Sequence, residues 1–249
     1  MAYEGKRYHL RNAIEVEEYH SGRYGAPGQK RVPRKKPTPE QIEKINQRNK
    51  EKLCRRKLRQ HFDVNDYFST LTYRREARPP TMEAAKKDFA DFLKKVRREY
   101  KKRGEELKWI RNIETGTKGA WHIHMVINRI PDTDVIIAAA WKHGKVQNQL
   151  LHEKGEFREL AAYITKTPKT DPRLKESNYS ASRNLPIPEP EKKEYLRWKT
   201  WGKVRIPKGW YLDPESYYEG INIMGYRYRT YTLLRIERKR RGGRGKRTQ

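Results

Sequence analysis

Trp121-His122-Ile123-His124-Met125-Val126-Ile127 alternates two histidines with apolar residues, as a strand with one buried face does. Side chains at i and i+2 of a strand point the same way, so His122 and His124 share a face, about 6.6 Å apart along the backbone at ~3.3 Å per residue. Two imidazoles so placed can converge on one divalent cation, while Trp121, Ile123, Met125 and Ile127 pack the opposite face. Glu114 ends an earlier strand-like run, Lys108–Glu114, and the polar loop Thr115-Gly116-Thr117-Lys118-Gly119 between the two runs is hairpin chemistry. A hairpin returns Glu114 to the side of the histidines as an oxygen ligand. Two imidazoles and a carboxylate suit Mg²⁺, Mn²⁺ or Zn²⁺ and leave coordination positions open for a substrate oxygen.

The second chemical group is Tyr163. Glu156 to about Thr167 reads as a helix with Phe157, Leu160, Ala161 and Ile164 as its apolar stripe. Tyr163 and Lys166 are three apart on another face, which puts their Cβ atoms about 5–6 Å apart. A tyrosine oxygen can attack a phosphodiester, forming a phosphotyrosine and freeing a sugar hydroxyl. The ester bond is exchanged rather than lost, so the step is reversible and needs no ATP. A free phenol ionises only near pH ~10, so a neighbouring ammonium and a metal-bound phosphate favour its reaction.

The elements that must hold these groups follow from periodicity. Tyr67–Tyr73 reads as a strand. Thr81 introduces a helix over about 81–103, with Phe89, Phe92, Leu93, Val96 and Tyr100 on one stripe and Gly104 ending it. Strands are expected at 108–114 and 120–128, a short helix from Pro131 through Trp141, and another strand at 145–151 after Gly144. This order predicts an α+β fold, a central antiparallel sheet of about five strands covered on one face by helices. Upstream, Thr38-Pro39-Glu40-Gln41 is a capping-box start for a helix to about residue 60, with Ile42, Ile45, Leu53 and Leu58 as its apolar content. Its remaining faces are dense in Lys and Arg, which serves either a solvated surface or contact with a DNA backbone.

Residues 1 to about 37 read as irregular, and 177–184 as polar and aperiodic. A short helix is expected from Pro190 through Tyr195 and Trp198 to Trp201. Beyond Val204 the chain is aromatic and strand-like. Tyr226-Arg227-Tyr228-Arg229-Thr230-Tyr231 could stack bases of a single strand or form the framework of a small β subdomain. The basic tail 235–249 reads as disordered alone and attached to DNA by charge. Three segments result: a basic N-terminal extension over 1–60, a catalytic domain over 61–175, and an aromatic, basic region over 176–249.

The 249 residues carry 59 Lys+Arg against 31 Asp+Glu, a net charge of +28 that calls for a polyanionic partner. No apolar run approaches a membrane span of about 18 residues, and Met1–Leu10 lacks a signal-peptide apolar core. A single cysteine, Cys54, excludes an internal disulfide framework and points to a reducing cytoplasm. His9, His20, His61, His143 and His152 show no ligand spacing and read as structural or surface residues.

Phe68-Ser69-Thr70-Leu71-Thr72-Tyr73, His122-Ile123-His124 and Tyr163-Ile164-Thr165-Lys166, in that order, resemble the three motifs of HUH endonucleases. More narrowly, they resemble single-tyrosine replication initiators of rolling-circle plasmids and small single-stranded DNA phages, over about residues 66–167. The resemblance implies that His122, His124 and Glu114 hold Mg²⁺ or Mn²⁺. Tyr163 would be the nucleophile and Lys166 would orient the phosphate or assist the phenolate, with Thr70 and Thr72 as supporting strand. Its implied partners are single-stranded or hairpin origin DNA, a host helicase and a polymerase, in the cytoplasm of a bacterial host. No nucleotide-binding Gly-rich loop followed by Lys-Ser/Thr appears. Positions one turn from Tyr163 are Glu159 and Thr167, so the closing strand transfer falls to a second protomer, to water, or to another tyrosine such as Tyr179. A relaxase or a single-strand transposase would use the same chemistry, and a noncatalytic nucleic-acid-binding protein would explain the charge without it.

Overall fold

Tyr3–His9 (β1) and Ala13–His20 (β2) pair antiparallel, from Tyr3 opposite His20 to His9 opposite Ile14, where irregular chain was expected. Their apolar signal is short because Ile14 and Val16 pack against Tyr231 and Leu233, which are far away in sequence. The computed structural model describes residues 3–20, 38–151, 157–195, 201–221 and 226–236. The chain divides into two compact units, Met1–Arg31 with Glu189–Gln249 and Val32–Pro188. The boundaries thus fall elsewhere than at 60 and 175, because the basic helix packs into the second unit.

In Val32–Pro188 the elements run Pro39–His61 (α1), Tyr67–Thr72 (β3), Met82–Lys102 (α2), Trp109–Gly116 (β4), Trp121–Ile127 (β5), Thr133–Ala140 (α3), Val146–Leu150 (β6), Arg158–Ile164 (α4) and Leu174–Ala181 (β7). The five strands form one antiparallel sheet, ordered β6-β3-β5-β4-β7. Parity along the three central strands decides what each face holds. Odd-numbered residues (Leu71, Trp109, Ile113, Trp121, Ile123, Met125 and Ile127) meet the Phe89, Phe92, Val96 and Tyr100 stripe of α2 together with Ile136 and Ile137 of α3. The even-numbered Phe68, Ile110 and Val126 meet Cys54 and Leu58 of α1 and Ala161 and Ile164 of α4. Helices therefore cover both faces rather than one.

Thr38 caps α1 through a complete capping box with Gln41, and Thr81 caps α2 by accepting from Ala84 N at 3.2 Å. Each such cap contributes about 1 kcal/mol. On α1, Leu58 is buried as expected, but Ile42, Ile45 and Leu53 are exposed and the inward partner of Leu58 is Cys54. Burial pushes the Cys54 thiol up to about 12, so it stays protonated and serves as a small apolar residue. Residues 174–181, read as polar and aperiodic, form the edge strand β7, because their partner is β4 rather than a hydrophobic layer.

The first unit adds Glu191–Tyr195 (β8), Trp210–Leu212 (β9), Tyr218–Ile221 (β10) and Arg227–Arg235 (β11) in a six-stranded sheet ordered β10-β11-β2-β1-β8, with β9 also on β11. A strand stands where a helix after Pro190 was expected, since Lys192 and Lys193 pair with Lys6 and Gly5 of β1. Residues 196–200, including Trp198, lie outside the described residues, as do His152, residues 21–37 and the tail from 237. Tyr231 is buried and the Arg229 guanidinium is buried on Glu18 at 2.6 Å, so this part of β11 is framework.

One glycine is required by close approach. A Cβ on Gly144 would lie 2.1 Å from Thr72 O, because the 143–145 segment hydrogen-bonds the end of β3 through Thr72 N to Lys145 O (2.9 Å) and Arg74 N to His143 O (2.8 Å). Gly144→Ala is expected to lower the unfolding free energy by about 1–3 kcal/mol, as overpacking does. Urea denaturation followed by tryptophan fluorescence reads this, and an unchanged midpoint would show that the approach is not constraining.

Candidate active site

The even-numbered face changes character along the strands. Phe68, Val126, Ile110 and Ala181 form an apolar row beneath α4. The next row across the sheet is Gln147, Thr70, His124, Asn112 and Tyr179. The one after it is Thr72, His122, Glu114 and Ser177. Glu114 is thus directly opposite His122 and diagonal to His124, as a β4–β5 hairpin requires. The site lies where the apolar layer gives way to polar side chains.

His124 is the hub. Its Nε2 lies 3.0 Å from Glu114 Oε1 and 3.1 Å from the Tyr163 hydroxyl, and its Nδ1 lies 3.1 Å from Thr70 Oγ1. Phe68 stacks parallel to the imidazole at 5.7 Å between ring centroids and meets the Tyr163 ring edge-on at 5.9 Å. Each ring is therefore held by packing as well as by hydrogen bonds. The His122 and His124 rings are near parallel with centroids 6.1 Å apart. Glu114 is 5% and His124 8% exposed, whereas Tyr163 is 40% exposed, so the phenol faces both the buried cluster and the solvent.

Lys166 does not lie on the helix as expected. Helix α4 ends at Ile164 because the Thr165 hydroxyl donates back to Ala161 O at 2.7 Å, and Pro168 follows closely. The chain turns, and Lys166 Nζ comes to rest 4.1 Å from the Tyr163 ring centroid, 3.1 Å from Glu114 Oε2 and 3.8 Å from Asp171 Oδ2. Arg173 grips Asp171 with two hydrogen bonds of 2.8 Å. All five predicted residues, Glu114, His122, His124, Tyr163 and Lys166, are thus brought to one end of the sheet face.

Electrostatics follow from these contacts. Burial works to raise the Glu114 carboxyl, but the hydrogen bond from His124 and the charge of Lys166 outweigh it and hold the group below its ordinary range. An ionised carboxylate only accepts, so His124 Nε2 carries its proton towards Oε1. His122 is held below its ordinary value by burial and by neighbouring His124, which keeps it neutral near pH ~7 with a lone pair to offer. The donor set of two imidazoles and one carboxylate fits a divalent cation. Two buried acceptors, Glu114 Oε2 and Asn112 Oδ1, have no hydrogen-bond partner, which also fits. The contact of Lys166 with Oε2 is an ion pair outside hydrogen-bond alignment. Among the described residues, no three His, Cys, Asp or Glu side chains are already drawn into a metal-ligand cluster.

Three residues of the site were not singled out from sequence. Asn112 follows from strand parity, two residues before Glu114. Asp171 sits in the turn Thr167-Pro168-Lys169-Thr170-Asp171-Pro172, where Thr167 N donates to Thr170 Oγ1 at 2.8 Å; those turn residues were the available signal. Phe68 was seen only as part of a strand. Conversely Tyr179, named as a second nucleophile, is buried against Cys54, and burial drives its phenol pKa far up. It cannot reach a phosphodiester in this fold.

Residues 66–168 match the family model of the replication-associated protein ORF2. The match supports a replication-initiator family and a role in replication initiation, and it spans β3 through Lys166. No curated protein matches the chain, and no solved structure does.

The hydrogen bonds from Arg173 hold the Asp171 carboxyl down at about 2. A carboxyl lowered on folding adds stability that is complete above its unfolded value and lost as pH falls through the folded one. Asp171→Asn is therefore expected to flatten the acid limb of stability between pH ~4 and ~2. Fluorescence-monitored acid unfolding reads this, and superimposable limbs for variant and wild type would contradict it.

Proposed function

We propose that this protein is a site-specific single-stranded DNA endonuclease and strand transferase that nicks an origin through a 5′-phosphotyrosine intermediate to start rolling-circle replication. The observation that carries the reading is the Tyr163 hydroxyl 3.1 Å from His124 Nε2, on a phenol that is also open to solvent. Tyr163 Oη attacks the phosphorus and the bond to the 3′-oxygen breaks. The proton lost by the phenol is balanced by the one the departing 3′-oxygen takes up. The products are a 3′-hydroxyl, which primes synthesis, and a 5′-phosphate esterified to Tyr163.

The residues divide this work. His122, His124 and Glu114 would hold Mg²⁺ or Mn²⁺, which supplies Lewis-acid polarisation of the phosphate when bound. Thr70 and Phe68 fix the His124 ring. The Lys166 ammonium 4.1 Å from the Tyr163 ring centroid favours negative charge on the phenol oxygen as it reacts. The net charge of +28 supplies sequence-independent attraction for the DNA backbone, which weakens with salt. No helix of the described residues is long and apolar enough to cross a membrane. A host helicase and polymerase would complete replication in the cytoplasm of a bacterial host.

Incubation with single-stranded origin DNA and Mn²⁺ is expected to give a protein–DNA adduct that survives denaturing electrophoresis. Tyr163→Phe should give none, and EDTA should abolish it while leaving salt-dependent binding in place. An adduct persisting in Tyr163→Phe would move the nucleophile elsewhere. Binding without an adduct on any origin strand would make the chain a noncatalytic DNA-binding protein.

A further inference from the structure

The Lys166 ammonium stands between three groups. It is 3.1 Å from Glu114 Oε2, 3.8 Å from Asp171 Oδ2 and 4.1 Å from the centroid of the Tyr163 ring. Its side chain is only 11% exposed, and so is that of Asp171, so neither charge is well served by water. The nearer carboxylate is the one the proposed function gives to a divalent cation, and its Oε2 makes no aligned hydrogen bond to the lysine. Two cations cannot share that oxygen without strong repulsion at such range.

We infer that Lys166 is an internal competitor for the cation position at Glu114, and that Asp171 is the positioning residue that receives it when a divalent ion binds. The inference rests on the metal-dependent reading above. The shift required is small, because the ammonium already lies within ion-pair reach of both carboxylates. Asp171 is prepared to accept it: Arg173 fixes both carboxylate oxygens at 2.8 Å. Arg173 is itself 85% exposed, so it orients Asp171 while solvent screens its repulsion of a second cation. The lysine stays beside the Tyr163 ring throughout. Arrival of the ion thus removes the ammonium's strongest partner near the nucleophile and leaves its charge free to favour a phenolate. Metal occupancy and nucleophile activation become one coupled event, and the coupling is reciprocal in binding free energy.

The test is Mn²⁺ affinity by isothermal titration calorimetry on the full-length protein without DNA, for wild type, Lys166→Met, Asp171→Asn and the double variant, with far-UV circular dichroism as a fold check. Lys166→Met should bind Mn²⁺ roughly tenfold more tightly, within the usual range of site–site coupling. Asp171→Asn should bind several-fold more weakly, and that loss should vanish in the double variant, where there is no ammonium left to receive. Unchanged or weaker binding by Lys166→Met while wild type binds Mn²⁺ would overturn the inference and leave the metal-dependent reading standing. Persistence of the Asp171→Asn loss in the double variant would also overturn it, since Asp171 would then act without Lys166. Absence of Mn²⁺ binding in every variant would overturn both. Binding by Lys166→Met alone would support the inference in its strongest form.

Discussion

The constraint on which the site depends is the register of the β4–β5 hairpin. With Glu114 opposite His122 and Asn112 opposite His124, every even-numbered residue of the two strands projects to the α1/α4 side and every odd-numbered one to the α2/α3 side. A slip of one residue would exchange the faces, burying both imidazoles among α2 side chains and exposing Trp121, Ile123 and Met125. The apolar odd face therefore enforces the polar geometry on the other side. Burial of Ile113, Ile123, Met125 and Ile127 at full depth, each worth about 1.5–3 kcal/mol, makes that register costly to lose.

Helix α4 then places the phenol. Ala161 and Ile164 face the core while Tyr163, between them in sequence, projects over Phe68 and His124. The early stop at Thr165 matters as much as the helix, because only a turning chain lets Lys166 return beneath the ring and lets Asp171 follow it. Helix α1 supports this end of the sheet: Gln47 Nε2 donates to Thr165 O at 3.2 Å, and Lys169 pairs with Glu43. The basic helix is thereby a structural part of the unit that holds the site, and its exposed Lys and Arg face remains available to DNA.

Local patterns were legible in the sequence where the signal was local. The α2 stripe, the capping box at Thr38, the strand order and the antiparallel five-stranded sheet all follow from periodicity over a few turns or residues. The gathering of Glu114, His122 and His124 on one face follows from strand parity and a glycine-containing loop. What failed depended on distant partners. The β1–β2 hairpin and β8 owe their strand character to pairing across the whole chain length, and Ile14 and Val16 alone give too little alternation to reveal it. Lys166 was placed on a helix because helical spacing says nothing about a side-chain cap that ends the element two residues early. Asp171 was missed because a turn, not a period, brings it back.

The central claim is that the oxygen of Tyr163 becomes esterified to DNA beside the histidine pair. It is tested most directly by digesting a covalent protein–oligonucleotide adduct with protease and nuclease and locating the residual nucleotide by tandem mass spectrometry. The account predicts a phosphonucleotide on the side chain of Tyr163 and on no other residue. A modification found on a different tyrosine, or on a serine or histidine, would contradict it.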